Sequence, residues 1–166
     1  MDRDGGMAAP LLVAASSVLL GSRAVLIRGP SGSGKSSLAW TLINAPGPFS
    51  FARLVCDDQT LVEARNGCLL ARPVAAIAGR IEIRGLGIVP VPHEPLARVG
   101  LIADLVPADT VERLPPPEAL AVELLGIRLP RLPVAMHGAL APAIIIHAMT
   151  HLAGGGELTD FLPEGP

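Results

Sequence analysis

The sequence predicts one α/β domain built around a phosphate-binding loop, and three observations carry that prediction. Ala24-Val25-Leu26-Ile27 is a continuous apolar run, the pattern of a strand buried on both faces. Gly29-Pro30-Ser31-Gly32-Ser33-Gly34-Lys35-Ser36 follows at once and fits G-x-x-x-x-G-K-[ST] at every fixed position. Ser36–Asn44 then reads as a helix, stopped by Pro46 and Gly47. Strand, loop and helix in that order supply the context the motif requires.

The remaining elements follow along the chain. Leu11–Leu20 and Arg23–Arg28 read as two strands joined by a turn at Gly21-Ser22. Arg53–Asp58 is a second apolar strand ending in two acids. Short strands are expected at Thr60–Ala64, Cys68–Ala71 and Ile81–Arg84, with Asn66-Gly67 as a hairpin turn. Gly85-Leu86-Gly87 and then Pro90, Pro92 and Pro95 predict a loop rather than a regular element. Val99–Val106 reads as a further buried strand, and Pro115-Pro116-Pro117 as a stiff turn before a helix at Glu118–Leu125. A final helix over Pro142–Leu152 ends at Gly154-Gly155-Gly156. The domain is placed at 10–153, between a disordered start (1–9) and a flexible tail (154–166).

Length and composition narrow the function. The 166 residues suit one self-sufficient core, and a net charge of -2 without a basic block argues against nucleic acid. Aromatic residues make up 2%, with no tyrosine, so the stacking platforms of single-strand binders are missing as well. Two cysteines, Cys56 and Cys68, make no disulfide framework and fit a reducing cytoplasm. Met7–Leu20 could pass for the apolar part of a signal peptide, but Asp2 and Asp4 flank it and the glycine loop follows closely, so export is not expected. The stretch from Leu132 to Gly156 is broken by three histidines, two prolines and the glycine cluster, so a buried helix is expected there and no membrane span.

Lys35 is the sole lysine among thirteen lysines and arginines. A flexible stem ending in a compact ammonium can reach between β- and γ-phosphate oxygens, where a planar guanidinium would not fit. The loop amides and the positive end of the following helix would hold the β-phosphate, and Ser36 is placed to ligate Mg²⁺. ATP and Mg²⁺ are therefore the expected cofactors, with Gly29, Pro30, Ser31, Gly32, Ser33, Gly34, Lys35, Ser36 and Ser37 as the nucleotide-binding stretch. Asp57-Asp58, at a strand end downstream, matches the position of the metal-binding acid in such proteins. Two adjacent carboxylates allow one to serve the metal while the other takes a proton. Glu82 and Arg84 share a face if Ile81–Arg84 is extended. His147 and His151, four apart on one helical face, lack a further ligand and read as structural.

Taken together, Gly29–Ser36, Leu54-Val55-Cys56-Asp57-Asp58 and Glu82-Ile83-Arg84-Gly85-Leu86-Gly87-Ile88 resemble the ordered motifs of HPr kinase/phosphorylase. The third stretch is that family's signature and far more specific than the phosphate loop. The resemblance covers positions 10 to 152 and implies an HPr kinase/PEP-carboxykinase-like fold, a mixed sheet with flanking helices. It implies a cytoplasmic serine kinase, also capable of phosphorolysis, acting on an HPr-type phosphocarrier protein, and a hexameric homo-oligomer. It makes Asp57 the base toward the substrate serine, Ser36, Asp58 and Glu82 the metal residues, and Arg84 the residue beside the transferred phosphoryl group. Glu112-Arg113-Leu114 resembles the family's Asp-Arg-Leu, which adds Arg113 as a phosphate contact, and His93–Arg98 corresponds to a family loop that is shorter here. The family's regulatory amino-terminal domain has no counterpart, implying the short form tied to nitrogen-related phosphotransfer. Ala14 stands where the family has histidine, and His137-Gly138-Ala139 where it has Gly-Arg-Asn. These departures support a second reading, an ATP-binding regulatory module that contacts a phosphocarrier without phosphorylating it.

Overall fold

The computed structural model describes residues 8–165, so most of the expected disordered start lies outside the described residues. Eleven strands and two helices are formed in it: β1 Leu11–Val13, β2 Ala15–Leu20, β3 Arg23–Arg28, α1 Lys35–Asn44, β4 Ala52–Cys56, β5 Thr60–Arg65, β6 Cys68–Pro73, β7 Arg80–Ile83, β8 Gly87–Pro90, β9 Ala97–Val106, β10 Ala121–Leu124, β11 Ile127–Ala135 and α2 Ala141–Ala153. Nine strands form one mixed sheet in the order β1-β5-β6-β9-β3-β2-β4, and β11, carrying β10, joins at β9. β3 pairs parallel with β9, and β9 parallel with β11, while β2 runs antiparallel to both β3 and β4. The fold class is the expected one.

The alternation of side chains along β3 divides the core between the two sheet faces. Val25 and Ile27 join Leu38, Leu42, Ile145 and Met149 under the two helices. Ala24 and Leu26 face the other way, against Val62, Leu69 and Ile102. The apolar run predicted to be buried on both faces is so buried, each of its four residues at 0% exposure.

Several expectations are corrected. The strand read as Leu11–Leu20 is interrupted at Ala14, where the chain bends from β1, paired with β5, to β2, paired with β3. Gly87–Pro90, expected as loop, is strand β8, pairing with β7 in a separate two-stranded sheet. Gly85 (φ 86°) and Gly87 (φ 106°) supply the left-handed backbone of its turn, and Pro90 sits at the end of an edge strand, where its missing N–H costs no ladder bond. The helix expected at Glu118–Leu125 is a 3₁₀ turn, Pro117–Leu120, followed by β10. Leu125 (φ 51°) and Gly126 (φ 75°) then turn the chain into β11. That strand was not foreseen, since Pro130 and Pro133 argue against a central strand. They are tolerated because β11 pairs with β10 over 127–130 and with β9 over 131–135, leaving one side open at each position. The segment beyond Glu157, expected to be loose, includes a 3₁₀ turn, Leu158–Phe161, closed by a capping box between Glu157 and Asp160, with Leu158 in the core.

Candidate active site

The phosphate loop bridges β3 and α1. Gly34 precedes the helix in a left-handed conformation (φ 96°), and no side chain caps the helix start. The first amides of α1 are therefore free to meet an anion. Gly29 is required by space, since a Cβ there would stand 2.6 Å from Ser33 Oγ and 3.0 Å from Leu105 Cβ. Lys35 is buried at 7% exposure, with Nζ donating to the carbonyls of Gly29 (2.9 Å) and Pro30 (3.0 Å). Its charge is thus held inside the loop by dipoles rather than by a carboxylate. Ser33 is almost wholly buried and its Oγ has no hydrogen-bond partner.

Asp57 faces the loop from just beyond β4. Its Oδ1 accepts from Ser36 Oγ at 2.7 Å and from Ser16 Oγ at 2.8 Å, and its Oδ2 accepts from the Glu82 amide at 3.2 Å. Ser16 Oγ in turn accepts from the Asp58 amide at 3.2 Å. Beneath this turn Ser17 Oγ lies 3.0 Å from Thr60 Oγ1 and accepts from the Cys56 amide at 3.1 Å. Ser16, fully buried, thus holds both aspartates, while the equally buried Ser17 fixes the strand end beneath them through Cys56 and Thr60. Asp58 is exposed and left-handed (φ 62°), which turns its carboxylate out of the strand line. Burial pushes the neighbouring Cys56 thiol up, so it stays an inert core group, and both cysteines are free.

A cleft of about 490 Å³ gathers Ser31, Gly32, Gly34, Lys35, Ser36, Ser37, Asp57, Asp58, Glu82, Arg84 and His137. All the proposed metal residues and three of the four proposed catalytic residues therefore share one space. Arg113 does not: it is exposed and lines a separate apolar groove with Leu140, Ile144 and Phe161. Among the described residues, no group of three or more histidines, cysteines or acids stands ready to hold a metal alone. The donors around the cleft are hydroxyl and carboxylate oxygens, which suit Mg²⁺ bound jointly by one or two carboxylates, water and phosphate.

The profile of the HPr serine kinase C-terminal domain matches residues 13–153. The chain belongs to that family. HPr kinase/phosphorylase of Clostridium tetani (strain Massachusetts / E88) is 40% identical over 68 residues, which are 41% of this chain and 21% of that protein. The match thus spans about a fifth of that relative's length. The HPr(Ser) kinase/phosphatase structure from Coxiella burnetii superposes with a TM-score of 0.74 at 25% identity, covering 87% of this chain and 97% of the other.

Sequence reasoning missed Ser16, although two serines inside an otherwise apolar strand were a visible signal of buried polar work. Ala14 lies in the bend two residues before it. His147 and His151 have structural partners: His147 packs on Phe161, and His151 Nε2 lies 2.8 Å from Asp160 Oδ2. The Asp160 carboxyl is held below the ordinary range by the Glu157 amide first and by His151 second. Among the described residues no helix is long and apolar enough to cross a membrane.

Proposed function

We propose that this chain is a Mg²⁺-dependent kinase that transfers the γ-phosphoryl group of ATP to a serine of an HPr-type phosphocarrier, and that it works in the cytoplasm. The observation that carries the reading is the position of Asp57: buried, lining the phosphate cleft, and 2.7 Å from the phosphate-loop hydroxyl of Ser36. A carboxylate offers about four acceptor sites. Three on Asp57 are filled, leaving one on Oδ2 for a substrate hydroxyl. Lys35 and the amides at the start of α1 hold the β- and γ-phosphates. Asp57 takes the serine proton as the oxygen attacks, and Arg84 balances charge on the moving phosphoryl group. Ser36, Asp58 and Glu82 would hold Mg²⁺, which would supply positive charge to offset that of the phosphates. Run in reverse, the same carboxylate would assist phosphate in attacking phosphoserine.

The test is transfer of label from ATP to HPr-type proteins of the same genome, with Asp57→Ala as control. Label on a carrier serine, absent from the control, is expected. ATP binding without any transfer would instead favour the regulatory-module reading, whose support is Ala14 beside the Ser16–Asp57 network and the missing arginine at His137–Ala139.

A further inference from the structure

The phosphate cleft is not the only cavity along the loop. A second, of about 380 Å³, opens between α1 and the turn from β11 to α2, and the two share Gly34, Ser37 and His137. Their chemistry differs. Asp57, Asp58, Glu82 and Arg84 line only the first, whereas the second has apolar walls from Leu38, Leu105 and Ala141. It also holds Ser33, at 2% exposure, whose Oγ is unpartnered. A buried hydroxyl without a partner is costly unless a ligand or water completes it.

His137 stands where the two cavities join. Its backbone is left-handed (φ 55°) although it is not glycine, and its side chain is exposed, so packing does not compensate the strain. The ring lies over the loop: a Cβ on Gly34 would be 3.1 Å from Nδ1 and 3.4 Å from Cε1. A triphosphate whose γ-phosphate points to the acids must run away from them, past Gly34. Its α-phosphate then arrives at the shared wall and its nucleoside in the second cavity.

We infer that His137 is a phosphate-binding residue of this chain, donating from its imidazole to the α-phosphate of a nucleotide whose nucleoside fills the neighbouring cavity. The inference rests on the nucleotide reading given above and assigns the substrate's orientation within that site. It also gives a use to the strained turn: the left-handed backbone places the imidazole over Gly34.

The experiment is titration calorimetry of the full chain with Mg²⁺ and ATP, ADP or inorganic pyrophosphate. Pyrophosphate occupies the loop without reaching the junction, so it reports on the loop alone. His137→Gly removes the ring and relaxes the backbone, so its melting temperature should stay within about 4 °C of the parent. ATP and ADP affinity should fall about tenfold, the usual scale for a lost hydrogen bond to a charged group, while pyrophosphate affinity holds. His137→Asn tolerates the same backbone but falls short of the phosphate, and should lose as much. Unchanged ATP affinity in both variants would overturn the assignment, as would an equal loss for pyrophosphate, which would make His137 a support of the loop. If the parent chain binds no ATP, the nucleotide reading itself falls, a result distinct from either of these.

Discussion

Ser16 carries more of the site than its size suggests. Its hydroxyl donates to Asp57 and accepts from the Asp58 amide, so one buried oxygen orients both acids. Ser16→Ala should leave ATP binding within about twofold while lowering transfer at least tenfold, because Asp57 then loses one of the bonds that aim it. Steady-state assays reporting kcat and KM separately would show this; a rise in KM alone would contradict it. Lys35→Ala should abolish measurable ATP binding in calorimetry, since the ammonium is the loop's single mobile cation. At this scale the sequence was explicit about the loop, because its geometry demands specific residue types at fixed spacing. For Ser16 it offered only a polar residue in an apolar strand and not the partner, Asp57, which lies 41 positions away. His137 was visible only as a departure, since nothing local ties a turn after β11 to Gly34.

Among the elements, the three parallel strands beneath the cleft are pinned by a charged clamp. Asp104 of β9 receives Nε (2.7 Å) and Nη2 (2.8 Å) of Arg28 from β3, and Nε (2.5 Å) of Arg131 from β11. Arg131 also donates to the Ala119 carbonyl at 3.0 Å. Burial alone would raise the Asp104 carboxyl, but the hydrogen bonds and charges of the two arginines outweigh it and hold the group below its ordinary 3.8. The clamp's contribution is therefore complete above pH 3.8 and is lost as pH falls through the lower folded-state value. Acid unfolding should steepen below about pH 4, and Asp104→Asn should flatten that limb in a stability-versus-pH series. Asp104→Ala leaves two guanidinium groups facing one another without an anion and should cost about 3 kcal/mol in denaturant unfolding. No local pattern announced this clamp, as its members belong to three strands. Strands β2–β6 and the two helices were legible from apolar runs, Asn66-Gly67 and the prolines and glycines that stop helices. β10 and β11 were not, because tertiary pairing overrode what three consecutive prolines and two more in the strand suggest.

For the molecule as a whole, the helical layer is the part most exposed to core damage. Ile145 is fully buried between α2 and the sheet, in the same cluster as Leu38 and Leu42 of α1. Ile145→Ala should cost about 2–5 kcal/mol, and because α1 begins at the phosphate loop, ATP affinity measured near the melting transition should fall with it. The cleft itself has two walls of different standing. Lys35, Ser36 and Asp57 sit on or beside the nine-stranded sheet, whereas Glu82 and Arg84 ride on the β7–β8 hairpin, which forms a ladder of its own. That hairpin is moored by Ile81 in the core and by the Glu82 amide on Asp57. Amide protons of β7 and β8 should accordingly exchange with solvent well before those of β3 and β9, a difference readable by mass spectrometry. The gap between the walls can thus widen at the cost of loosening one hairpin, while every rung of the main sheet stays closed.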